Sequence, residues 1–292
     1  MSTVLRVMRF HLCVGSKPLM AVCLLAALTA AGGCISLWLT ILHDVPTPFA
    51  TTLGDAFLWL LKGLPEPEPR PSSLAALQPL RMPFGWLFMV LLPMCVVPCI
   101  SASDAIGAGA LVASGNRMRM WAGMCAAVAL VTVVYWAIVT LMCLGTSVYL
   151  GWDLSLVASD ELVRMTDLVR ESLATGPYDV LPVLVGTFVA SLALAEAQLA
   201  LGLCLGACGA WVATTISLGA SVFFDVPWLL GNLMSMARSA VFVVPNAVHV
   251  DYGSLSPGIG LAESLGVSGL VLVVSLVGGG VMLAHHDVLR GR

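Results

Sequence analysis

The residues of this chain that could do chemistry are few, and most of them stand apart from one another. The five histidines fall near the termini or between apolar runs, so no histidine and carboxylate cluster can be placed on one buried helix face. Two cysteine pairs, Cys95/Cys99 and Cys204/Cys208, have the spacing of neighbours on a helix face. Because no histidine or further cysteine completes a zinc-type ligand set, we favour cysteines that pack between helices. The sequence predicts no catalytic, cofactor-binding or metal-ligating residue.

One carboxylate, that of Glu196, lies within a long apolar run, residues 180–224. It lies about 16 residues into that run, which corresponds to about 24 Å along a helix. In a membrane helix this position is near one edge of the hydrocarbon rather than at its centre. An ionisable residue at membrane depth is a functional hypothesis, and proton coupling is one interpretation. The other is that the carboxylate pairs locally or extends to the interface and has no transport role.

Composition indicates the medium in which these residues act. Of the 292 residues, 59% are hydrophobic and only 10% are charged, and the mean hydropathy is +1.00. Soluble domains carry about a quarter charged residues, so a water-soluble fold of this size could not solvate its own surface. No polar stretch is long enough to enclose a separate core. The sequence therefore predicts a single all-α, polytopic membrane domain over residues 1–292.

Apolar runs near the length that crosses a bilayer, about 20 residues, predict six transmembrane helices. The second contains Pro93 and Pro98 and should be kinked, with neighbouring helices hydrogen-bonding to the carbonyls that the prolines free. The fourth and fifth come from one long run, in which the small residues of Gly202–Gly209 offer a tight turn. The predicted spans are 20–42, 83–103, 120–149, 180–203, 207–224 and 265–284.

The charges indicate which way the predicted helices point. With the N-terminus inside, segments 1–17, 101–119 and 285–292 are cytoplasmic and hold seven basic and two acidic residues. The outer segments then hold six basic and thirteen acidic residues. Because short cytoplasmic loops are enriched in lysine and arginine, this orientation is favoured over its inverse. An even number of spans returns the C-terminus to the cytoplasm as well.

The three predicted outer segments are more than plain loops. In the first, Thr52 and Asp55 have the spacing of a helix N-cap and its partner acid, and Gly63 would end the helix. This helix is too apolar for a free surface, so it lies in the outer interface or packs on top of the bundle. In the second, 151–179, apolar residues at helical spacing favour a solvated amphipathic helix over cation binding by its acids. The third, 225–264, is interrupted by prolines and should fold back over the outer end.

The segment between the second and third predicted helices is the longest cytoplasmic loop between two spans. Residues 106–113 are rich in small residues and can form a short helix across the cytoplasmic face, which Gly115-Asn116 would end. Arg117, Arg119 and Trp121 can then anchor the next helix at the level of the lipid headgroups. On physical grounds alone, this segment is an anchor that follows the positive-inside rule.

Several short motifs occur in a common order along the chain. They are Thr52–Asp55 with Leu61–Pro65, Pro83–Trp86, Asp104, Ser114–Arg117 with Trp121, Pro227–Ser239, and Pro257–Leu261. In this order they resemble the permease subunits of ABC-2-type exporters from Gram-positive bacteria, among them permeases of peptide-antibiotic export and immunity systems. The loop typical of that family carries a longer basic run and two adjacent aromatic residues where this chain has 117–121.

The resemblance implies a division of labour with other proteins. It implies that segment 101–119 contacts a separate ATP-binding subunit and that a second permease subunit, identical or similar, completes the pathway. The residues implicated in coupling are Asp104, Gly107, Ala108, Gly109, Ala110, Ser114, Gly115, Asn116 and Arg117. The sequence contains no Gly-x-x-x-x-Gly-Lys-Ser/Thr phosphate loop, which agrees with ATP hydrolysis on another chain. The implied protein is an exporter subunit of the plasma membrane that is not an enzyme, needs no cofactor and binds no nucleic acid.

Other functional classes compete with this interpretation. A secondary transporter or channel would be expected to show inverted repeats or central charged residues, and neither is evident in the sequence. A non-transporting membrane sensor or immunity protein is a further alternative. The sequence does not identify a cargo, and the direction of transport is implied by the family alone.

Overall fold

A computed structural model describes residues 3–14, 16–44, 49–63, 83–101, 116–166, 177–224, 226–242 and 258–285. These residues form a bundle of α-helices with a short antiparallel ribbon of two strands. The elements are α1 (Thr3–Val14), α2 (Ser16–Asp44), α3 (Leu53–Leu61), α4 (Phe84–Leu91), α5 (Val97–Ser101), α6 (Arg117–Leu150), β1 (Val157–Ala158), α7 (Asp160–Met165), β2 (Tyr178–Asp179), α8 (Leu181–Phe223) and α9 (Leu261–His285). The predicted helical class is therefore confirmed for these residues.

Four of the described helices, α2, α6, α8 and α9, are long and apolar enough to cross a membrane. A further apolar stretch, Gly85–Ile100, is shorter. The outward faces of the long helices carry large apolar side chains, for example Met20, Ile216 and Val274, which are 72%, 66% and 61% exposed. Continuous faces of this kind are unfavourable in water and suit hydrocarbon. The fold is that of a helical membrane protein.

Helix α6 runs the whole length of the bundle, so we call the two ends of the bundle the Arg117 end and the Gly151 end. At the Arg117 end, Asn116 caps α6 by accepting a hydrogen bond from the backbone N–H of Met118 at 2.8 Å. At the Gly151 end, Gly151 has a φ of 73°, a left-handed conformation that glycine adopts without strain. Its N–H closes the last turn on the carbonyl oxygen of Ser147. The predicted third span, 120–149, lies within α6.

The longest helix, α8, has 43 residues and reverses its direction at Gly206. Gly206 has a φ of 71° and a ψ of 167°, outside the helical region. Val183 lines a small cavity beside Asn232, and Val222 lines a second cavity that Asn232 also borders. In a straight helix Val183 and Val222 would be about 59 Å apart, too far for one side chain to lie near both. The halves 181–205 and 207–223 are therefore antiparallel, and Gly206 is the tight turn that the sequence predicted.

The predicted second span, 83–103, is broken by its two prolines. A 3-10 turn over Pro93–Cys95 separates α4 from α5. A proline lacks the N–H that would bond to the carbonyl four residues earlier in a helix. Pro93 therefore frees the carbonyl of Met89, and Pro98 frees the carbonyl of Met94.

Side chains from two neighbouring helices donate hydrogen bonds to both freed carbonyls. The hydroxyl of Tyr135 on α6 donates to the Met89 oxygen at 2.6 Å, and Nε2 of Gln198 on α8 donates to the Met94 oxygen at 3.1 Å. Tyr135 and Gln198 are both buried, so water does not compete for either bond. The prediction that neighbouring helices satisfy these carbonyls is confirmed.

The buried carboxylate of Asp55 joins two segments at the Gly151 end. The Thr52 hydroxyl accepts from the Asp55 N–H at 3.1 Å, and the carboxylate accepts from the Thr52 N–H at 2.9 Å, which confirms the predicted cap. The other carboxylate oxygen accepts from the N–H and hydroxyl of Ser159 at 2.7 and 3.0 Å. Burial raises the pKa of Asp55, and the hydrogen bonds from Ser159 and Thr52 act in the opposite direction. Ser159 caps α7, the predicted amphipathic helix, whose Leu162 is buried.

Helix α3 packs on the bundle rather than in the lipid interface. Its Phe57, Leu58 and Leu61 are at most 3% exposed. Leu60 packs on Gly33 of α2, at a place where a Cβ atom would overlap the leucine side chain. Of the two alternatives for this helix, packing on the bundle is confirmed. The interfacial position is wrong for its apolar side chains, because protein contacts already bury them.

Residues 226–242 fold over the Gly151 end and hold three distant segments together. The carbonyl oxygen of Lys62 accepts a hydrogen bond from the Ser235 hydroxyl at 3.1 Å. The indole N–H of Trp86 donates to the Met234 carbonyl oxygen at 2.9 Å. Ile259 pairs with the same segment through two backbone hydrogen bonds. The prediction that the third outer segment folds back over this end is therefore confirmed for its described residues, 226–242 and 258–264.

The hydrogen bond from Gln198 to Met94 can be tested by a double-mutant cycle with Pro98. We expect Gln198→Leu to lower the free energy of unfolding by about 1–3 kcal/mol, because it leaves a buried carbonyl without a donor. Pro98→Ala restores a backbone N–H that can bond to the same carbonyl, so Gln198→Leu should cost much less in that background. Denaturant unfolding of the four proteins in lipid–detergent micelles measures the difference. An equal cost in both backgrounds would contradict this role for Gln198.

Candidate functional site at the Arg117 end

The Arg117 end holds both flanks of segment 101–119, which the resemblance implicates in coupling. One flank is α5, which ends at Ser101, and the other is Asn116 with Arg117 at the start of α6. The other implicated residues, Asp104, Gly107, Ala108, Gly109, Ala110, Ser114 and Gly115, lie outside the described residues. The short helix predicted across this face therefore stays a prediction.

Arg117 and Trp121 tie the start of α6 to the end of α9. Nη1 of Arg117 donates to the carbonyl oxygen of Ala284 at 2.9 Å, in the last turn of α9, where carbonyls have no partner within the helix. The indole N–H of Trp121 donates to the Leu276 carbonyl oxygen at 2.8 Å, and its ring fills a notch at Gly279. Trp121 is only 3% exposed, so the prediction that it anchors α6 among lipid headgroups is wrong. The indole is held by α9 instead.

Helix α1, which the sequence analysis missed, bridges the two flanks. Val7 packs on Gly123 of α6, where a Cβ atom would overlap the valine side chain. The imidazole of His11 lies beside the backbone of Ile100, next to the end of α5. Both side chains are at most 2% exposed. The helical spacing of Val4, Val7 and His11 could have predicted α1, but this stretch was interpreted only through its charges.

The described acidic residues are concentrated at one end of the bundle. Exposed basic side chains at the Arg117 end are Arg6, Arg9, Lys17 and Arg119. Apart from Glu196, the described acidic residues lie at the Gly151 end: Asp44, Asp55, Asp153, Asp160, Glu161, Asp179 and Glu263. Among the described residues, the Arg117 end therefore carries a positive potential.

The structure places Glu196 away from this end, inside the bundle. The residue is 2% exposed, and its carboxyl group lies beside the thiol of Cys125 on α6. Within the part of the chain that is described, its Oε2 atom has no hydrogen-bond partner. The turn at Gly206 comes ten residues later in the chain. This distance is about 15 Å along a helix, so Glu196 does not join the Arg117 end.

Comparison of the chain with protein-family models, with curated proteins and with solved structures finds no match in any of the three.

His11 should make the docking of α1 depend on pH. Burial lowers the pKa of His11 below its ordinary value of 6.5, and the neighbouring backbone of Ile100 acts in the opposite direction. A group whose pKa is lowered by folding stabilises the fold above its unfolded pKa, and this stability is lost as the pH falls through the folded value. We expect the backbone amides of residues 7–14 to lose protection against hydrogen exchange, corrected for intrinsic rates, as the pH drops below 6.5.

The matched control for this titration is His11→Phe, which keeps an aromatic ring and removes the ionisable group. Its protection should be independent of pH over the same range. An identical pH response in the variant and the wild type would assign the effect to another group.

Proposed function

We propose that this chain is the membrane-spanning permease subunit of an ABC-2-type exporter, coupled to a separate ATP-binding subunit. The observation that carries the proposal is that motifs far apart in the sequence, which together resemble that family, meet in the fold. Lys62, Trp86 and Ile259 come from three of these motifs, and each bonds to the fourth, Pro227–Ser239. Chance similarities in separate pieces of sequence would not be expected to share one packed cluster.

The proposal includes six membrane spans with both termini in the cytoplasm. α2, α6 and α9 supply three spans, the antiparallel halves of α8 supply two, and α4 with α5 supplies the sixth. The Arg117 end, with its exposed arginines and lysine, faces the cytoplasm according to the positive-inside rule. The acidic Gly151 end then faces outward. This arrangement supports a location in the plasma membrane.

In this proposal the chain forms the pathway and a partner supplies the energy. The full sequence has no phosphate-binding loop, so ATP binding and hydrolysis take place on another subunit. The flanks of segment 101–119 are held by α1 and α9, so a partner that binds this segment is attached to a rigid part of the bundle. A partner shifts the balance between inward- and outward-open states only if it contacts those states differently. A second permease subunit, identical or similar, completes the pathway.

The test of this proposal is a bulky acidic substitution in the coupling segment. We expect Ala108→Glu to abolish co-purification with an ATP-binding-cassette protein encoded beside this chain, because the added volume and charge block docking. ATP turnover of the complex in lipid should fall with it. Ser16→Glu is the matched control, since it adds the same charge at an exposed position of the same end, where an acid suits the start of α2.

Two outcomes would contradict the proposal. If Ala108→Glu associates and turns over ATP as the wild type does, segment 101–119 is an anchor and not a coupling element. If the wild type associates with no ATP-binding chain, the permease assignment fails, and a secondary transporter or a non-transporting sensor or immunity protein takes its place. Membrane insertion of each variant is compared first, so that loss of the protein is not mistaken for loss of docking.

A further inference from the structure

The face of α1 that points away from the bundle combines positive charge with large apolar groups. Val7 and His11 occupy the buried face. On the opposite side Arg6 and Arg9 are exposed, and neither is near a described acidic residue, because those lie at the Gly151 end or in α8. Leu5 and Phe10 are 47% and 38% exposed. At the usual rotation of about 100° per residue, these two apolar side chains flank the arginines on either side.

We propose that this face of α1 is a binding surface for anionic phospholipid in the leaflet at the Arg117 end. The two guanidinium groups pair with lipid phosphates, and Leu5 and Phe10 enter the acyl boundary beside them. Arginine suits this role because its planar fork can bond to two phosphate oxygens at once.

Both parts of the face point to a membrane surface rather than to a soluble acidic protein. A basic strip alone would serve either partner. Leu5 and Phe10 would stay in water between contacts with a soluble partner, whereas a helix lying in the interface buries such residues permanently. α1 also leads directly into α2, the first long apolar helix, with only residue 15 between them. The helix is therefore held where the membrane surface begins.

Lipid bound to α1 would also stabilise the Arg117 end of the bundle. α1 contacts α5 through His11 and α6 through Val7, so lipid that holds its outer face also presses α1 onto both flanks of segment 101–119. Anionic lipid then acts as a structural ligand of the protein. The inference does not depend on ATP or on an ATP-binding partner, so it can fail or succeed separately from the proposed function.

The experiment uses the full chain purified in a neutral detergent and titrated with phosphatidylglycerol or phosphatidylcholine, with bound lipid counted by native mass spectrometry. Wild type should retain phosphatidylglycerol in preference to phosphatidylcholine. Arg6→Gln and Arg9→Gln should each weaken phosphatidylglycerol binding about fivefold, and the double variant about 25-fold. Arg164→Gln is the matched control, because Arg164 is an exposed arginine at the opposite end.

A charge-preserving variant separates lost binding from lost folding. Arg6→Lys with Arg9→Lys should keep most of the preference for phosphatidylglycerol, because the positive charges remain. The proposal is overturned if the double glutamine variant binds phosphatidylglycerol as tightly as wild type, or if Arg164→Gln weakens binding equally. It is also overturned if wild type shows no preference for phosphatidylglycerol over phosphatidylcholine. In that case a soluble protein partner is the better candidate for this face.

Discussion

The structure depends on satisfying backbone carbonyls at a depth where water is absent. Pro93 and Pro98 break the apolar segment between α3 and α6, and each removes a donor that a regular helix would have supplied. Tyr135 and Gln198 replace those donors from two different helices. The broken segment is thereby fixed between α6 and α8, and its last residue, Ser101, is brought to the Arg117 end. The position of Ser101, the first residue of the candidate coupling segment, depends on these two hydrogen bonds.

Much of this arrangement could be predicted because it follows from rules that act locally along the chain. The length of an apolar run, the missing N–H of proline and the freedom of glycine at Gly206 are all properties of short stretches. The cap formed by Thr52 and Asp55 is equally local. The sequence cannot show that Ser159, about a hundred residues later, bonds to the same carboxylate. That contact depends on the packing of α3 against the ribbon and α7.

The predictions of a headgroup position for Trp121 and an interfacial position for α3 are wrong for the same physical reason: contacts with distant helices cannot be seen in a single sequence. The sequence predicts a headgroup position for Trp121 because a tryptophan beside arginines at the start of a membrane helix usually lies there. The notch at Gly279 offers the indole a buried site and a carbonyl acceptor, which a single sequence does not reveal. The apolar residues of α3 similarly pack against other parts of the protein and not against lipid. The twelve residues of α1, with Val4, Val7 and His11 on one face, give a weaker signal than the long apolar runs that follow.

The two ends of the molecule differ: the Gly151 end is a packed cap built from distant motifs, and the Arg117 end is a basic surface that holds both flanks of segment 101–119. We propose that the Arg117 end faces the cytoplasm. The direct measurement is labelling of single cysteines by an impermeant thiol reagent in intact cells, in a version that lacks the native cysteines. Cysteines at Ser2 and Arg292 should stay unlabelled until the membrane is opened, and cysteines at Pro71 and Glu171 should react at once. Labelling of either terminus in sealed cells would contradict the account.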